Sequence, residues 1–159
     1  MSIEKVREYF ELKNIPNKIL EFSVSSATVE LAAQAVGTEP CRIAKTMSFF
    51  IGEEAVVVVL AGDVKVDNKK FKEVFHTKAK MIPYDAVERY TGHAPGGVCP
   101  FALKSGVKVY LDISLCRFKT VFPAAGSSNS AVEMTISDLQ KYSKAEGFVD
   151  ISKPQAENL

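Results

Sequence analysis

The sequence predicts an α/β domain whose mixed, mainly antiparallel sheet is curved and partly closed, like an incomplete barrel, with helices around it. Helical and strand-like patterns alternate along the 159 residues, which is typical of one mixed domain. Residues 55–61 are apolar on both faces, so we expect a central strand covered on both sides. Residues 44–51 precede it across Gly52, and the two segments together predict an antiparallel hairpin.

The predicted helices follow from apolar residues at helical spacing and from residues that favour helix ends. Ile3, Val6 and Phe10, for example, fall on one face of the first helix. Pro40 is expected to open a separate single turn. The helices expected are residues 2–13 capped by Ser2, residues 28–36 capped by Ser25 or Ser26 and ended by Gly37, a helix capped by Asp67 that buries Phe71, Val74 and Phe75, a short helix begun by Asp85 with Glu88 and ended near Gly92, and a last helix begun by Ser137 with Gln140.

Strands are predicted where β-branched and aromatic residues gather between turn residues. Residues 92–106 separate two groups of strands and hold four glycines and two prolines, so we expect a long loop there. The residues after Ser152 are expected to be frayed, and residues 1–159 to form a single domain. Besides the hairpin, the strands expected are residues 18–22, 107–111, 120–122, 131–136 and 148–151.

Overall charge does not mark the chain as a nucleic-acid binder, because 20 basic residues stand against 19 acidic ones. Lysines are nevertheless concentrated between residues 65 and 80. Such a basic face can bind a phosphate backbone, although a solvated helix face has the same composition. The lysines considered for contact with a phosphate backbone are Lys65, Lys69, Lys70 and Lys72.

Cysteine and histidine are too few and too scattered for a zinc site, so we expect no metal. The chain has three cysteines without CxxC spacing and two histidines. Reduced thiols suit the cytoplasm, and residues 1–13 lack the apolar segment of a signal peptide. The longest apolar run, residues 55–61, is too short to cross a bilayer, so we expect a cytoplasmic location and no membrane contact.

Lys45 is the first residue with a candidate chemical role. It lies near the start of the predicted strand 44–51, among apolar neighbours. An unpaired ammonium group is costly to bury, so this side chain either reaches solvent at a sheet edge or faces a cleft. In a cleft it would hold a phosphate or a carbonyl oxygen as a point charge.

The second candidate is the loop at residues 91–101. Its adjacent Gly96 and Gly97 let backbone N–H groups approach a ligand, while Pro95 and Pro100 restrict the chain. Such a turn can direct N–H donors at an ester carbonyl, although an ordinary surface turn has a similar composition. The loop matches neither the P-loop nor the dinucleotide-binding glycine motif.

Two further sets of residues have possible roles. Asp112 ends a predicted strand and either caps the following turn or faces a ligand. Small residues in the segment 121–129 follow another strand, where a ligand can rest on the backbone. Cys99 and His93 suggest a thiol hydrolase, but no residue of the loop is placed to orient the histidine, and a small residue that lines a pocket is the simpler interpretation.

The order of these elements resembles one family, the YbaK-like editing domains associated with prolyl-tRNA synthetase. The similarity extends over about residues 23–151. It implies a curved mixed sheet with helices around it and a cleft between the lysine strand and the glycine–proline loop. The matching stretches are residues 39–46 with Ile43-Ala44-Lys45-Thr46, then Ala61-Gly62-Asp63, residues 91–101 with Gly96-Gly97-Val98-Cys99-Pro100-Phe101, Asp112, and Ala125-Gly126.

For function, the resemblance implies a trans-acting aminoacyl-tRNA deacylase without a metal or an organic cofactor. Its substrate would be mischarged tRNA, cysteinyl- or alanyl-tRNA for proline, with prolyl-tRNA synthetase as a candidate partner and no role for DNA. Lys45 corresponds to the residue most closely tied to activity, and the N–H groups of Gly97 and Val98 would hold the carbonyl. The residues implied in substrate contact are Thr46, Gly96, Gly97, Val98, Cys99, Pro100, Asp112, Ala125 and Gly126.

Two alternatives stay open from the sequence. One is a catalytically silent relative that binds tRNA or a synthetase without hydrolysing an ester. The other is a thiol hydrolase that uses Cys99 as its nucleophile.

Overall fold

The computed structural model of the protein describes residues 2–155, which form a curled six-stranded half-barrel with helices packed around it. The helices are α1 (Ser2–Leu12), α2 (Val29–Val36), α3 (Asn68–Phe75), α4 (Val87–Thr91) and α5 (Ile136–Ser143), with 3₁₀ turns at Pro40–Arg42, Tyr84–Ala86 and Ile113–Arg117. The strands are β1 (Ile19–Glu21), β2 (Ile43–Ile51), β3 (Glu54–Ala61), β4 (Val64–Val66), β5 (Lys108–Asp112), β6 (Thr120–Pro123), β7 (Ser130–Val132), β8 (Met134–Thr135), β9 (Gly147–Val149) and β10 (Ser152–Pro154).

The hairpin of β2 and β3 lies at the centre of the half-barrel, whose strand order is β8-β6-β2-β3-β5-β9. The hairpin is antiparallel from Ala44 opposite Ala61 to Ile51 opposite Glu54, as the sequence predicts. β6 joins β2 in parallel, and β5 joins β3 in parallel. Two small sheets pair β1 with β7 and β4 with β10. The predicted α/β class with a mixed, curved sheet is confirmed. Within the six-stranded sheet only two of the five pairings in the described residues are antiparallel, so the predicted antiparallel majority is found only when the two small sheets are included.

The core is built around β3, in which every residue from Val56 to Ala61 is at most 2% exposed. Its β-branched side chains are covered on both faces, as predicted for a central strand. On one side, Phe49 of β2 packs on Phe71 of α3 with ring centroids 4.9 Å apart. Within residues 2–155, none of the helices combines the length and the apolar character needed to cross a bilayer.

The start of α2 differs from the prediction. Thr28 caps this helix, because its Oγ1 accepts a hydrogen bond from the Leu31 N–H at 3.2 Å. Ser25 and Ser26 precede the cap, and their hydroxyl groups donate, at 3.5 Å each, to backbone carbonyl groups just before and within β7. The prediction placed Thr28 inside the helix, whereas the tertiary partners of the two serines leave Thr28 as the cap.

Three other predicted helix starts are also wrong. Thr135 caps α5 through its Oγ1, and Ser137 lies inside the helix. Ser2 is already helical, and its hydroxyl group donates to a carbonyl group of the loop after β6 instead of capping. Asp85 falls in a 3₁₀ turn that leads into α4, and α4 has no side-chain cap.

Several strands also differ from those that the sequence predicts. The predicted strand 131–136 is divided into β7 and β8, and Ile136 begins α5. In place of the predicted strand 148–151, β9 begins one residue earlier and ends two residues earlier. Lys153 and Pro154 are not frayed, because β10 pairs with β4, a strand that the sequence did not predict. The rest of the predicted frayed tail, residues 156–159, lies outside the described residues.

Candidate active site

A cleft of about 170 Å³ opens between β2 and the loop that follows α4. Lys45 and Thr46 line it from β2, and Gly96 and Val98 line it from the loop. The structure therefore brings the lysine strand and the glycine–proline loop to one crevice. The other lining residues come from the start of α2, from β2 and from β6 to β7, and are Ser26, Ala27, Thr28, Val29, Ala32, Ile43, Ala44, Phe122, Ala124, Ser130 and Ala131.

Lys45 extends from β2 towards β4, and its ammonium group donates to the Val64 carbonyl. Burial lowers the pKa of this ammonium group below its ordinary value, whereas the carboxylates of Asp63 and Glu30 act to raise it. Asp63 is itself bound by Arg117, with Nη2 and Oδ1 2.6 Å apart, and this bond lowers the pKa of its carboxyl group. Within residues 2–155 the ammonium group of Lys45 has a carbonyl partner and no ion pair, so its charge is available to a ligand.

β2 has no neighbouring strand on its outer side at Thr46. β6 pairs with β2 only at Ile43 and Ala44, and the next bridge on that side joins Phe49 to Met81. Alternate residues of an antiparallel strand direct their N–H and C=O groups to the same side, so those of Thr46 face this gap. Thr46 Oγ1 is also buried without a hydrogen-bond partner among the described residues. The backbone N–H and C=O groups of Thr46 are thus available to a ligand in the gap, and its hydroxyl group, unpartnered in the described residues, lies behind them.

Gly96 and Val98 are the loop residues that line the cleft, and Gly97 between them has a different role. The Gly97 N–H donates to the Ala94 carbonyl at 3.0 Å, so the prediction that it holds an ester carbonyl is wrong. A Cβ atom at Gly97 would lie 2.8 Å from Ser127 Cα, which shows that glycine here allows two backbone segments to touch. No residue between 2 and 155 accepts a hydrogen bond from the N–H of Gly96 or Val98, so these are the available donors.

Neither Cys99 nor Pro100 lines the cleft, contrary to the prediction. The chain turns inward after Val98, so Cys99 lies in the core, and the buried Pro100 lines a separate groove beside Tyr9. Cys99 is fully buried with Sγ 3.5 Å from His93 Nε2, and burial raises the pKa of its thiol to about 12. Burial lowers the pKa of the His93 imidazole, and its Nε2 lies 2.7 Å from the Phe101 carbonyl oxygen. A buried neutral thiol without a free base is not a nucleophile, so this geometry argues against the thiol hydrolase.

Asp112 is also absent from the cleft, where the resemblance placed it. It is fully buried, and its carboxylate accepts hydrogen bonds from the N–H groups of Ser114 and Ile151, both at 2.9 Å. It accepts a third from the Ser152 hydroxyl at 2.7 Å. Asp112 therefore caps the 3₁₀ turn after β5 and fastens the C-terminal strand, which is the structural alternative considered from the sequence.

Ala125 and Gly126 lie behind the cleft and do not line it, which corrects their predicted contact with the substrate. Both are buried, and Gly126 has a φ angle of 97°. A Cβ atom there would stand 2.8 Å from the Ser2 carbonyl oxygen, so the residue lets the loop pack directly on α1. Their neighbours Ala124 and Ser130 reach the cleft instead.

The predicted basic face lies on α3 and on β4, the strand whose Val64 carbonyl accepts a hydrogen bond from the Lys45 ammonium group. Lys65, Lys69 and Lys72 are exposed. Lys70 differs, because its Nζ lies 3.1 Å from Asp150 Oδ1 and also bonds a carbonyl group of β10. An engaged ammonium group is less available to a phosphate, so the prediction that Lys70 contacts tRNA is not supported by its surroundings.

Lys65 has an additional feature that the sequence did not reveal. It stands directly opposite Lys153 in the antiparallel pairing of β4 and β10. Both side chains are exposed. Like charges at opposite positions of a sheet repel each other, so an anion bound between them is stabilising. This pair extends the basic face close to the cleft.

The contribution of α2 is the main part of the cleft that sequence reasoning missed. Ala27, Thr28 and Ala32 line the cleft from the start of this helix. The sequence predicts only a helix over residues 28–36 capped by Ser25 or Ser26, and no role in a site for these three residues. Such residues gain a role in a site only through their position, which a single sequence does not show.

A model of the aminoacyl-tRNA editing domain matches residues 24–142, which include β2, the loop and the whole cleft. The chain belongs to the aminoacyl-tRNA editing domain family. The editing domain is 47% identical to the Bacillus subtilis protein YwhH over 154 residues, which cover 96% of this chain and 98% of that protein.

Two further relatives connect the editing domain with prolyl-tRNA synthetase. It is 26% identical over 125 residues to the proline–tRNA ligase of Citrifermentans bemidjiense, which covers 78% of this chain but only 22% of the ligase. It is similar to the crystal structure of a proposed trans-editing enzyme for prolyl tRNA synthetase, with a TM-score of 0.87 and 26% identity over 96% of this chain and 97% of that one. The predicted YbaK-like family is thereby confirmed.

Proposed function

We propose that this editing domain is a trans-acting aminoacyl-tRNA deacylase, a hydrolase that cleaves the ester bond of mischarged tRNA. The main support is that Lys45, Thr46 and the free N–H groups of Gly96 and Val98 line one cleft. N–H donors stabilise the negative charge that develops on an ester carbonyl, and an ammonium group orients the ester or holds the terminal phosphate.

Attack on the ester is assisted by the substrate. No carboxylate or imidazole is found among the described residues that line the cleft, so the protein offers no general base there. Water adds to the ester carbonyl, and its proton passes to a ribose hydroxyl of the terminal adenosine as that hydroxyl gives up its own proton, or to the thiolate form of a cysteinyl side chain. The oxyanion accepts hydrogen bonds from Val98 and Gly96, the bond to the ribose oxygen breaks, and that oxygen takes up the proton.

The substrates that we propose are cysteinyl- and alanyl-tRNA for proline. The cleft of about 170 Å³ suits a small amino acid, and Ala27, Ala32 and Ala131 are small residues in its wall. Pocket size discriminates against larger side chains, whereas it separates two small ones only weakly. Both substrates are therefore proposed together.

The proposed partner is tRNA, with prolyl-tRNA synthetase as the enzyme whose errors are corrected. Lys65, Lys69, Lys72 and Lys153 give the exposed positive charge that would bind the phosphate backbone. Because tRNA is charged in the cytoplasm, we propose that the protein acts there.

The test is the half-life of cysteinyl- and alanyl-tRNA for proline with purified protein. Wild-type protein should shorten both half-lives, and Lys45→Ala should lower kcat/KM about 100- to 1000-fold, as for the loss of one electrostatic group in a hydrolytic site. Lys119→Ala is the matched control, because Lys119 is an exposed lysine outside the cleft. A wild-type protein that binds these tRNAs without shortening either half-life would be a binding module, and the proposal would be refuted.

A further inference from the structure

A second groove of about 250 Å³ adjoins the cleft and shares Thr46, Gly96 and Val98 with it as a common wall. Its far side carries Met81, which is 54% exposed, and Tyr84, which is 80% exposed. Both side chains are large and mainly apolar, and no charged residue lines the groove within residues 2–155. The Tyr84 side chain makes no hydrogen bond or ring contact with other described residues. The groove therefore presents an exposed ring and a thioether without a partner.

The backbone beneath Met81 is fixed to the sheet. The Phe50 N–H donates to the Lys80 carbonyl at 2.9 Å, and the Ile82 N–H donates to the Ser48 carbonyl at 3.1 Å. Ile82 is only 3% exposed, so it anchors the segment in the core. Met81, between these two bonds, is thus held in place on β2. A flat ligand could stack here with little loss of chain entropy.

We infer that this groove binds the terminal nucleobase of the tRNA acceptor end, with the base stacked on Tyr84 and beside Met81. The inference rests on the proposed function, because the aminoacyl group in the cleft would be esterified to the ribose of that same nucleoside. The base is the next bulky group along the substrate, and the shared wall of Thr46, Gly96 and Val98 places the groove beside the ester. Uncharged aromatic bases stack on tyrosine without sequence-specific hydrogen bonds.

The two flanks of the cleft have complementary characters. Lys45 reaches the Val64 carbonyl on the β4 side, and the lysine pair of Lys65 and Lys153 follows on that strand, which suits phosphates. The groove with Tyr84 is uncharged and suits a heterocycle. A terminal nucleotide that spans the cleft would thus find partners of the right kind at both ends.

The binding test uses a single tryptophan, because the chain has none. Tyr84→Trp places a fluorophore in the groove, and Phe148→Trp places one on β9, three strands away from β2 in the half-barrel. The probes are two acceptor-stem minihelices that carry no amino acid. One has the terminal adenosine, and the other has an abasic terminal nucleotide. The intact minihelix should quench Trp fluorescence in Tyr84→Trp only, and the abasic one should bind without quenching. Equal quenching by both minihelices would overturn the inference.

The kinetic test compares Tyr84→Ala with the control Phe148→Ala, using alanyl minihelices with and without the terminal base. Loss of stacking should raise KM about 5- to 150-fold in Tyr84→Ala, with kcat changed less and with recovery in Tyr84→Phe. Removal of the base should raise the KM of the wild-type protein but cause no further rise in the KM of Tyr84→Ala. If the effects of Tyr84→Ala and of base removal on KM multiply, the inference is overturned. It is also overturned if sedimentation shows that Tyr84→Ala loses only self-association.

The two proposals fail in different ways. Base-dependent quenching without hydrolysis by the wild-type protein would refute the deacylase and leave the nucleobase groove. Hydrolysis with independent effects of Tyr84→Ala and base removal would leave the deacylase and refute the groove.

Discussion

Substitution of Gly97 by alanine tests whether backbone contact behind the loop sets the position of the donors in the cleft. The added Cβ would lie 2.8 Å from Ser127 Cα, 2.9 Å from Ser127 N and 3.0 Å from Gly126 C, all of them backbone atoms. Ordinary contact begins at 3.4 Å, so the two segments must separate by roughly 0.6 Å. The N–H groups of Gly96 and Val98 would move with the loop.

A displacement of about 1 Å near reacting groups can lower a rate about 100-fold, so we expect kcat/KM of Gly97→Ala to fall about 10- to 100-fold. Overpacking should also lower the free energy of unfolding by about 1–3 kcal/mol, or about 2–12 °C in Tm. The assay is single-turnover hydrolysis of alanyl-tRNA well below the Tm of the variant, with a thermal melt beside it. Gly147→Ala is the control, because a Cβ there meets no atom within 4 Å. Wild-type rate and Tm in Gly97→Ala would refute this account of the loop.

Three further predictions concern residues outside the reacting centre. Because burial raises the pKa of the Cys99 thiol to about 12, an alkylating reagent at neutral pH should label exposed Cys116 and spare Cys99 in the folded protein. Cys99→Ala should retain hydrolysis. A folded but inactive Cys99→Ala variant would instead support the thiol hydrolase. Lys65→Ala should reduce the slope of log affinity for tRNA against log salt concentration by about 1. Lys70→Ala should leave this slope nearly unchanged, because it removes an ammonium group that is already in an ion pair. Equal slopes for the two variants would contradict this difference. Asp112→Asn should lower the free energy of unfolding by about 2–4 kcal/mol, or about 4–16 °C in Tm, while kcat measured below the Tm should persist. The reason is that an NH2 donor would replace one of the two carboxylate oxygens, which together accept from two N–H groups and a hydroxyl group.

The sheet was predictable from the sequence where local pattern and tertiary environment agree. Residues 55–61 are apolar on both faces and form the buried central strand, and the hairpin with residues 44–51 follows from its short connection. β4 was not predictable, because its few residues, Val64–Val66, are held by pairing with β10 some ninety residues later in the chain. A pattern within one window carries no information on such a partner.

The candidate site was predictable for residues whose chemistry is unusual in their setting. A lysine on a core strand and adjacent glycines between prolines are rare enough to stand out, and the structure brings Lys45 and Gly96 to one cleft. Asp112 was misplaced because a carboxylate that binds a ligand and one that accepts backbone N–H groups look identical in sequence. Ala32 was missed for the opposite reason, since an alanine in a helix has no chemistry of its own.

The interruption in the pairing of β2 has a consequence for how such proteins diverge. The polar groups that Thr46, Gly96 and Val98 bring to the cleft are largely peptide amides, and an amide survives almost any exchange of its side chain. A relative with 26% identity keeps the same path of the chain with a TM-score of 0.87. If the proposed function holds, substitutions in the wall, at positions such as Ala32 or Phe122, would change which amino acid is accepted and leave these amides in place.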